Sequence, residues 1–220
     1  MESRILRVGA AEIDFLEAMR QTADYLKLPE NISDARSAYP AYDGYPGGPT
    51  CDVSEQDLLA FILLNVNNKP IPSYYSLLGA LPQINARLNS PHITGTLVEA
   101  NNETLDALAD LIGILDGPNM PHIRLTKLSK VLHRKRPHLI PLYDDHIRRC
   151  YMEKAPIRIM PQRDRSWRDF ALIWLSEVQR DLTDQLPLWE ELASLAKGPL
   201  ISPLRALDIV GWHLGNPNAL

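Results

Sequence analysis

The stretch Ile123-Arg-Leu-Thr-Lys-Leu-Ser-Lys-Val-Leu-His-Arg-Lys135, followed by Arg136-Pro137 and then by Pro141-Leu-Tyr-Asp-Asp-His-Ile-Arg-Arg149, decides how this chain is read. At about 100° per residue, Leu125, Leu128, Val131 and Leu132 fall on one side of a helix. Lys130 then points almost directly away from that stripe. Lys127 sits on its border beside Val131, where a long side chain is partly desolvated and its amine can still reach a cleft. Pro141 and the paired aspartates mark a second helix starting near Asp144, where free backbone amides and the positive dipole end favour a carboxylate. Cations dominate the segment. From Arg124 to Arg149 there are eight Lys/Arg and two Asp, 8 − 2 = +6, whereas the whole chain carries −4, so the remainder carries −4 − 6 = −10. A chain that repels polyanions over most of its surface and attracts them at one place has an addressed electrostatic footprint.

Working outward, the apolar spacing gives further helices. Ile13, Leu16, Met19 and Leu26 follow the three-and-four rhythm of one helical face. Ser54-Glu-Gln-Asp57 forms a capping signal before the apolar run Leu58–Leu64, which predicts a central helix buried on all sides. Other helices are expected near 73–88, 103–115, 123–135, 144–154, 166–183, 188–197 and 203–214. No sustained alternation of apolar and polar residues occurs, so no sheet is expected. The 220 residues suffice for a full core. The expectation is an all-α fold, one domain over 1–220, built as two lobes sharing a cleft, with a proline-bearing break at 155–165. The tryptophans, Trp167, Trp174, Trp189 and Trp212, read as helical core bulk. Residues 39–50, Tyr-Pro-Ala-Tyr-Asp-Gly-Tyr-Pro-Gly-Gly-Pro-Thr, form a turn-rich loop that is either a connector with rings on the surface or an aromatic wall over a cleft.

Several classes are excluded or unsupported. Cys51 and Cys150 form no C-x-x-C pair, so they read as ordinary thiols in a reducing compartment. The N-terminus lacks the apolar run of a signal peptide, and the longest apolar segment, Leu58–Val66, is too short for a bilayer, which predicts a cytoplasmic protein with no membrane partner. His122, His133, His138 and His146 offer neither an i,i+4 pair on one helix nor a nearby cysteine ligand, so no metal site is expected. No phosphate loop and no Gly-x-Ser-x-Gly elbow occurs, and no cofactor is expected.

Thr126-Lys-Leu-Ser-Lys-Val-Leu132, followed by Pro141-Leu-Tyr-Asp-Asp-His-Ile147, resembles the lysine helix and Asp-x-His segment of the helix-hairpin-helix DNA glycosylase superfamily. There a lysine, or another residue at its place, and an aspartate about eighteen positions later flank a flipped nucleotide. Lys127 and Asp144 are 144 − 127 = 17 apart, and Lys130 gives 14. The chain also resembles an actinobacterial family of uncharacterised proteins. That likeness rests on Tyr42-Asp-Gly44, Glu55-Gln-Asp57-Leu-Leu-Ala60-Phe and Ser129-Lys-Val-Leu-His-Arg-Lys-Arg-Pro137-His-Leu-Ile-Pro141; there Lys130 is the more characteristic lysine. The chain departs from the glycosylases where their glycine-bearing hairpin grips a phosphate, since Pro118 and Pro121 remove two amide donors. The glycosylase resemblance implies Lys127 as a candidate Schiff-base nucleophile and Asp144 as the carboxylate facing a developing cation. It implies Arg124, Lys130, His133, Arg134, Lys135, Arg136, His146, Arg148 and Arg149 as contacts to nucleic acid, DNA or RNA. The function expected is a nucleic-acid-acting enzyme related to base-excision N-glycosylases; the alternative is a non-catalytic nucleic-acid binding module on the same fold.

Overall fold

In the computed structural model the chain is described over residues 4–31, 37–118 and 120–216. Helices dominate it. They are α1 Phe15–Tyr25, α2 Pro70–Leu88, α3 Asn102–Ile112, α4 Leu125–Lys135, α5 Asp145–Met152, α6 Trp167–Asp184, α7 Leu186–Ala193 and α8 Pro203–Gly215. Several starts carry the cap the sequence provides: Asn101 accepts from Thr104 N–H, Ser166 from Asp169 N–H and Ser202 from Arg205 N–H, each satisfying an amide with no partner in its own helix.

Two expectations are corrected. The chain is not purely helical, because β1 Ile5–Val8 and β2 Ala11–Asp14 form an antiparallel hairpin. Leu6, Val8 and Ala11 point into the core, and Asp14 then caps α1 by accepting from Leu16 and Glu17 N–H. Helix α1 therefore begins at Phe15 and buries Phe15, Ala18 and Thr22, leaving Leu16 exposed, a face rotated from the one the apolar spacing marked. Strands of four residues carry too few alternations to stand out against a helical rhythm.

The second correction is the run after Ser54. It winds as a 3₁₀ helix over Glu55–Leu64, not as a buried α-helix. In that geometry residues three apart eclipse one another, so the segment has three rows. Asp57 and Ala60 form one buried row and Leu58 and Phe61 another; Gln56, Leu59 and Ile62 make up the exposed third, although Leu59 and Ile62 are apolar.

In the packing, α3 lies along α6, α5 and α7 lie against α8, and α4 lies against the 3₁₀ segment. Buried side chains from Leu6 to Val210 merge into one apolar cluster. Helix α4 is enclosed within it: every residue from Lys127 to His133 is buried. Among the described residues no helix is long and apolar enough to cross a membrane.

Candidate functional site

The α4–α5 turn places Asp144 at the N-cap of α5. Its Oδ1 accepts from the N–H groups of His146 at 2.9 Å and Ile147 at 3.0 Å. Its Oδ2 lies 3.7 Å from Lys130 Nζ. Lys130 is enclosed, with 4% of its side chain accessible, whereas Asp144 keeps 18%. The turn is held by Ser129, whose Oγ accepts from Tyr143 N–H at 3.1 Å. The lysine in ion-pair contact with Asp144 is therefore Lys130, the residue on the side of α4 opposite its apolar stripe, and not Lys127.

Lys127 faces elsewhere. Its Nζ donates to Asn68 O at 2.6 Å, Ser73 Oγ at 2.5 Å and His122 O at 3.0 Å, tying α4 to the start of α2. Burial and the charge of Lys69 lower its proton affinity, the direction an amine nucleophile needs. The hydrogen-bond count points the other way. Ser73 Oγ spends its own hydrogen on Lys69 O, so all three neighbours accept, and only an ammonium has three hydrogens to give. Geometry decides here: with no donor aimed at Nζ, the lone pair of a neutral amine would lack a partner in a buried site.

The rest of the α4 cations clasp the tyrosine-rich loop. Arg134 donates to the carbonyls of Asp43 and Tyr45, Lys135 to those of Gly48 and Thr50, and Arg136 to that of Cys51. Lys135 also pairs with buried Asp57 at 2.8 Å. Burial pushes the Asp57 carboxyl up, but hydrogen bonds from Lys135, Ser54 and Gly48 outweigh it and hold the group below its ordinary range. His133 is buried, with Nδ1 2.7 Å from Ile140 O and its ring stacked on Tyr42. The loop does not carry all its rings on the surface: those of Tyr39 and Tyr42 are buried in the interior.

Of the remaining predicted contacts, Arg124 is exposed at the N-cap of α4. Arg148 pairs with Glu153 at 2.7 Å, and Arg149 donates to Gly215 O at 3.0 Å. The half-buried His146 meets Trp212 edge-on at 5.4 Å.

Behind Lys130 lies a second charged group. Arg205, 2% exposed, makes a two-pronged contact with Asp43 at 2.8 and 3.2 Å, bonds Asp208, and donates to Tyr25 Oη at 3.0 Å. Its guanidinium lies over the rings of Tyr25 and Tyr42. Asp208 is pushed up to about 6, first by burial and also by the charge of Asp144, with Arg205 and Lys130 opposing. Three carboxylates, Asp43, Asp144 and Asp208, thus lie around two cations, Lys130 and Arg205.

A family model matches residues 18–215 of this chain. The chain belongs to DUF6308, a family of unknown function. No curated protein matches, and no solved structure matches. In this DUF6308 chain, Arg205, Asp208 and Asp43 escaped the reading of the sequence. Arg205 and Asp208 are three apart on a helix, a pattern indistinguishable from an exposed surface pair. Asp43 did carry a signal, the Tyr42-Asp-Gly44 motif, but nothing local linked it to α8. The thiols are free: Cys51 is exposed, and burial pushes Cys150 up to about 12.

Proposed function

We propose that this chain is an enzyme on a nucleic-acid-linked substrate, two-lobed and related in fold to the helix-hairpin-helix DNA glycosylases, with Asp144 as its charge-stabilising carboxylate. One observation carries the reading: Asp144 has one oxygen fixed by two amides, the other facing the buried ammonium of Lys130, and part of its surface open. A carboxylate held this way needs no reorganisation when positive charge develops beside it. With the target nucleotide extruded, the bond between sugar and base breaks, the electron pair leaves with the base, and Asp144 faces the cationic sugar. Water then adds to the sugar carbon, and its proton passes to the departing base or to solvent. Lys130 acts as a positioning residue, because its partner is Asp144 itself. A Schiff base is not part of this reading, since all three hydrogens of the Lys127 ammonium are committed to oxygens. Arg124 supplies a phosphate contact from the surface, and Arg148 and Arg149 join it by exchanging their solvent-exposed partner Glu153 for phosphate.

The enzyme reading is favoured over the binding module because a module needs the α4 cations together on one exposed surface, and Lys130, Arg134, Lys135 and Arg136 are spent on internal oxygens. The test is base release from a panel of DNA and RNA oligonucleotides carrying normal and damaged bases. The wild type should release base from at least one of them, without a borohydride-trappable adduct, and Asp144→Asn should lose that release while keeping its far-UV spectrum. Undiminished release by Asp144→Asn, or no release by the wild type across the panel, overturns the reading.

A further inference from the structure

Away from Asp144, helices α6, α7 and the first turn of α8 close with residues 96–99 around a half-open cavity of about 360 Å³. That size lies at the lower end of the roughly 300–1,000 Å³ typical of small-molecule sites. Its floor is apolar: Leu182 and Leu204, each 2% exposed, belong to the core, and Leu186 lies beside them. Its mouth is acidic. Glu99 and Glu190 both reach it from exposed positions, together with His138. Glu99 Oε2 accepts only from the neutral hydroxyl of Thr96, and among the described residues neither glutamate has a cation within ion-pair distance. Among the described residues no lysine or arginine lines the cavity.

We propose that this cavity binds a small cationic amphiphile: a protonated amine carried on a compact aliphatic or aromatic body. The ammonium sits between the two glutamates, and the apolar body covers Leu182 and Leu204. An apolar floor alone accepts any small hydrophobe of the right size. Two uncompensated carboxylates at the rim turn that tolerance into selection for positive charge, because a neutral ligand leaves them unmatched and an anion is repelled. The placement of this site is independent of the chemistry proposed at Asp144.

Isothermal titration with phenethylamine, phenethyl alcohol and 3-phenylpropionate tests the charge selection at constant ring size. The amine should bind saturably and about tenfold or more tighter than the alcohol, with the carboxylate weakest, as charge-assisted hydrogen bonds require. Glu99→Gln combined with Glu190→Gln changes only exposed side chains and should abolish the preference for the amine. Asp144→Asn should leave amine binding unchanged, so that failure of the reading at Asp144 and failure here are separable. Absence of saturable amine binding, equal affinities for amine and alcohol, or a preference that survives in the double variant overturns the proposal.

Discussion

His133 and Asp208 are both enclosed, and their protons respond to pH in opposite senses. Burial lowers His133 from 6.5 to about 3, despite the carbonyl of Ile140 beside it. The folded chain holds this ring neutral, so its contribution to stability is present above 6.5 and is lost as pH falls toward 3. Burial raises Asp208 from 3.8 to about 6. The folded chain takes this proton before the unfolded one does, so the stability it confers is present at low pH and is lost as pH rises from 3.8 to about 6. Between pH 4 and 6 the two slopes oppose each other, each up to about 1.4 kcal/mol per pH unit. Urea unfolding at pH 4, 5 and 6 should therefore separate them. Relative to wild type, Asp208→Asn gains stability as pH rises through this range, and His133→Gln loses it. Parallel profiles for the three proteins would count against both assignments.

At the scale of elements, the hairpin is the piece whose docking is most exactingly built. Gly9 turns between β1 and β2 at φ +62°, its N–H donates to Asp181 Oδ2 at 2.6 Å, and the neighbouring Ala10 N–H donates to Cys150 O at 2.9 Å. A Cβ added at Gly9 would fall 2.4 Å from that same carbonyl oxygen. Gly9→Ala should cost about 3 kcal/mol, from backbone strain and displacement of α5 together. Chemical denaturation reads the loss directly; a cost under about 1 kcal/mol would mean that α5 gives way freely. The α-helices were legible because their period repeats over eight to nineteen residues, as in α5 and α2. The hairpin was not, since β1 and β2 have four residues each. The 3₁₀ segment misled for a different reason: its composition is apolar on every row, so periodicity held no information about its winding.

Across the whole molecule, the +6 segment is largely an internal fastening. Of its eight cations, Lys127, Lys130, Arg134, Lys135 and Arg136 are spent on oxygens of α2, the 37–51 loop, Asp57 and Asp144, which leaves exposed Arg124, together with Arg148 and Arg149, whose side chains are 35% and 33% accessible and share the solvent-exposed Glu153. If nucleic acid is the substrate, its affinity should depend on salt with a log–log slope of about −3, not the slope of about −7 that eight phosphate contacts would give. Fluorescence anisotropy between 50 and 200 mM salt, as about a fourfold span, measures this; a slope beyond about −6 would mean that the α4 cations reach phosphate after all. The sequence by itself determined that helices dominate, roughly where most of them run, that Asp144 caps one of them, and that positive charge is concentrated in one segment of the chain, because propensity, capping and composition act along the chain. Only the tertiary structure decided that Lys130 meets Asp144 and that Arg205 draws Asp43 and Asp208 together. Periodicity describes polarity around one helix axis, and it cannot tell water from the carbonyls and carboxylates of another segment pressed against the polar face.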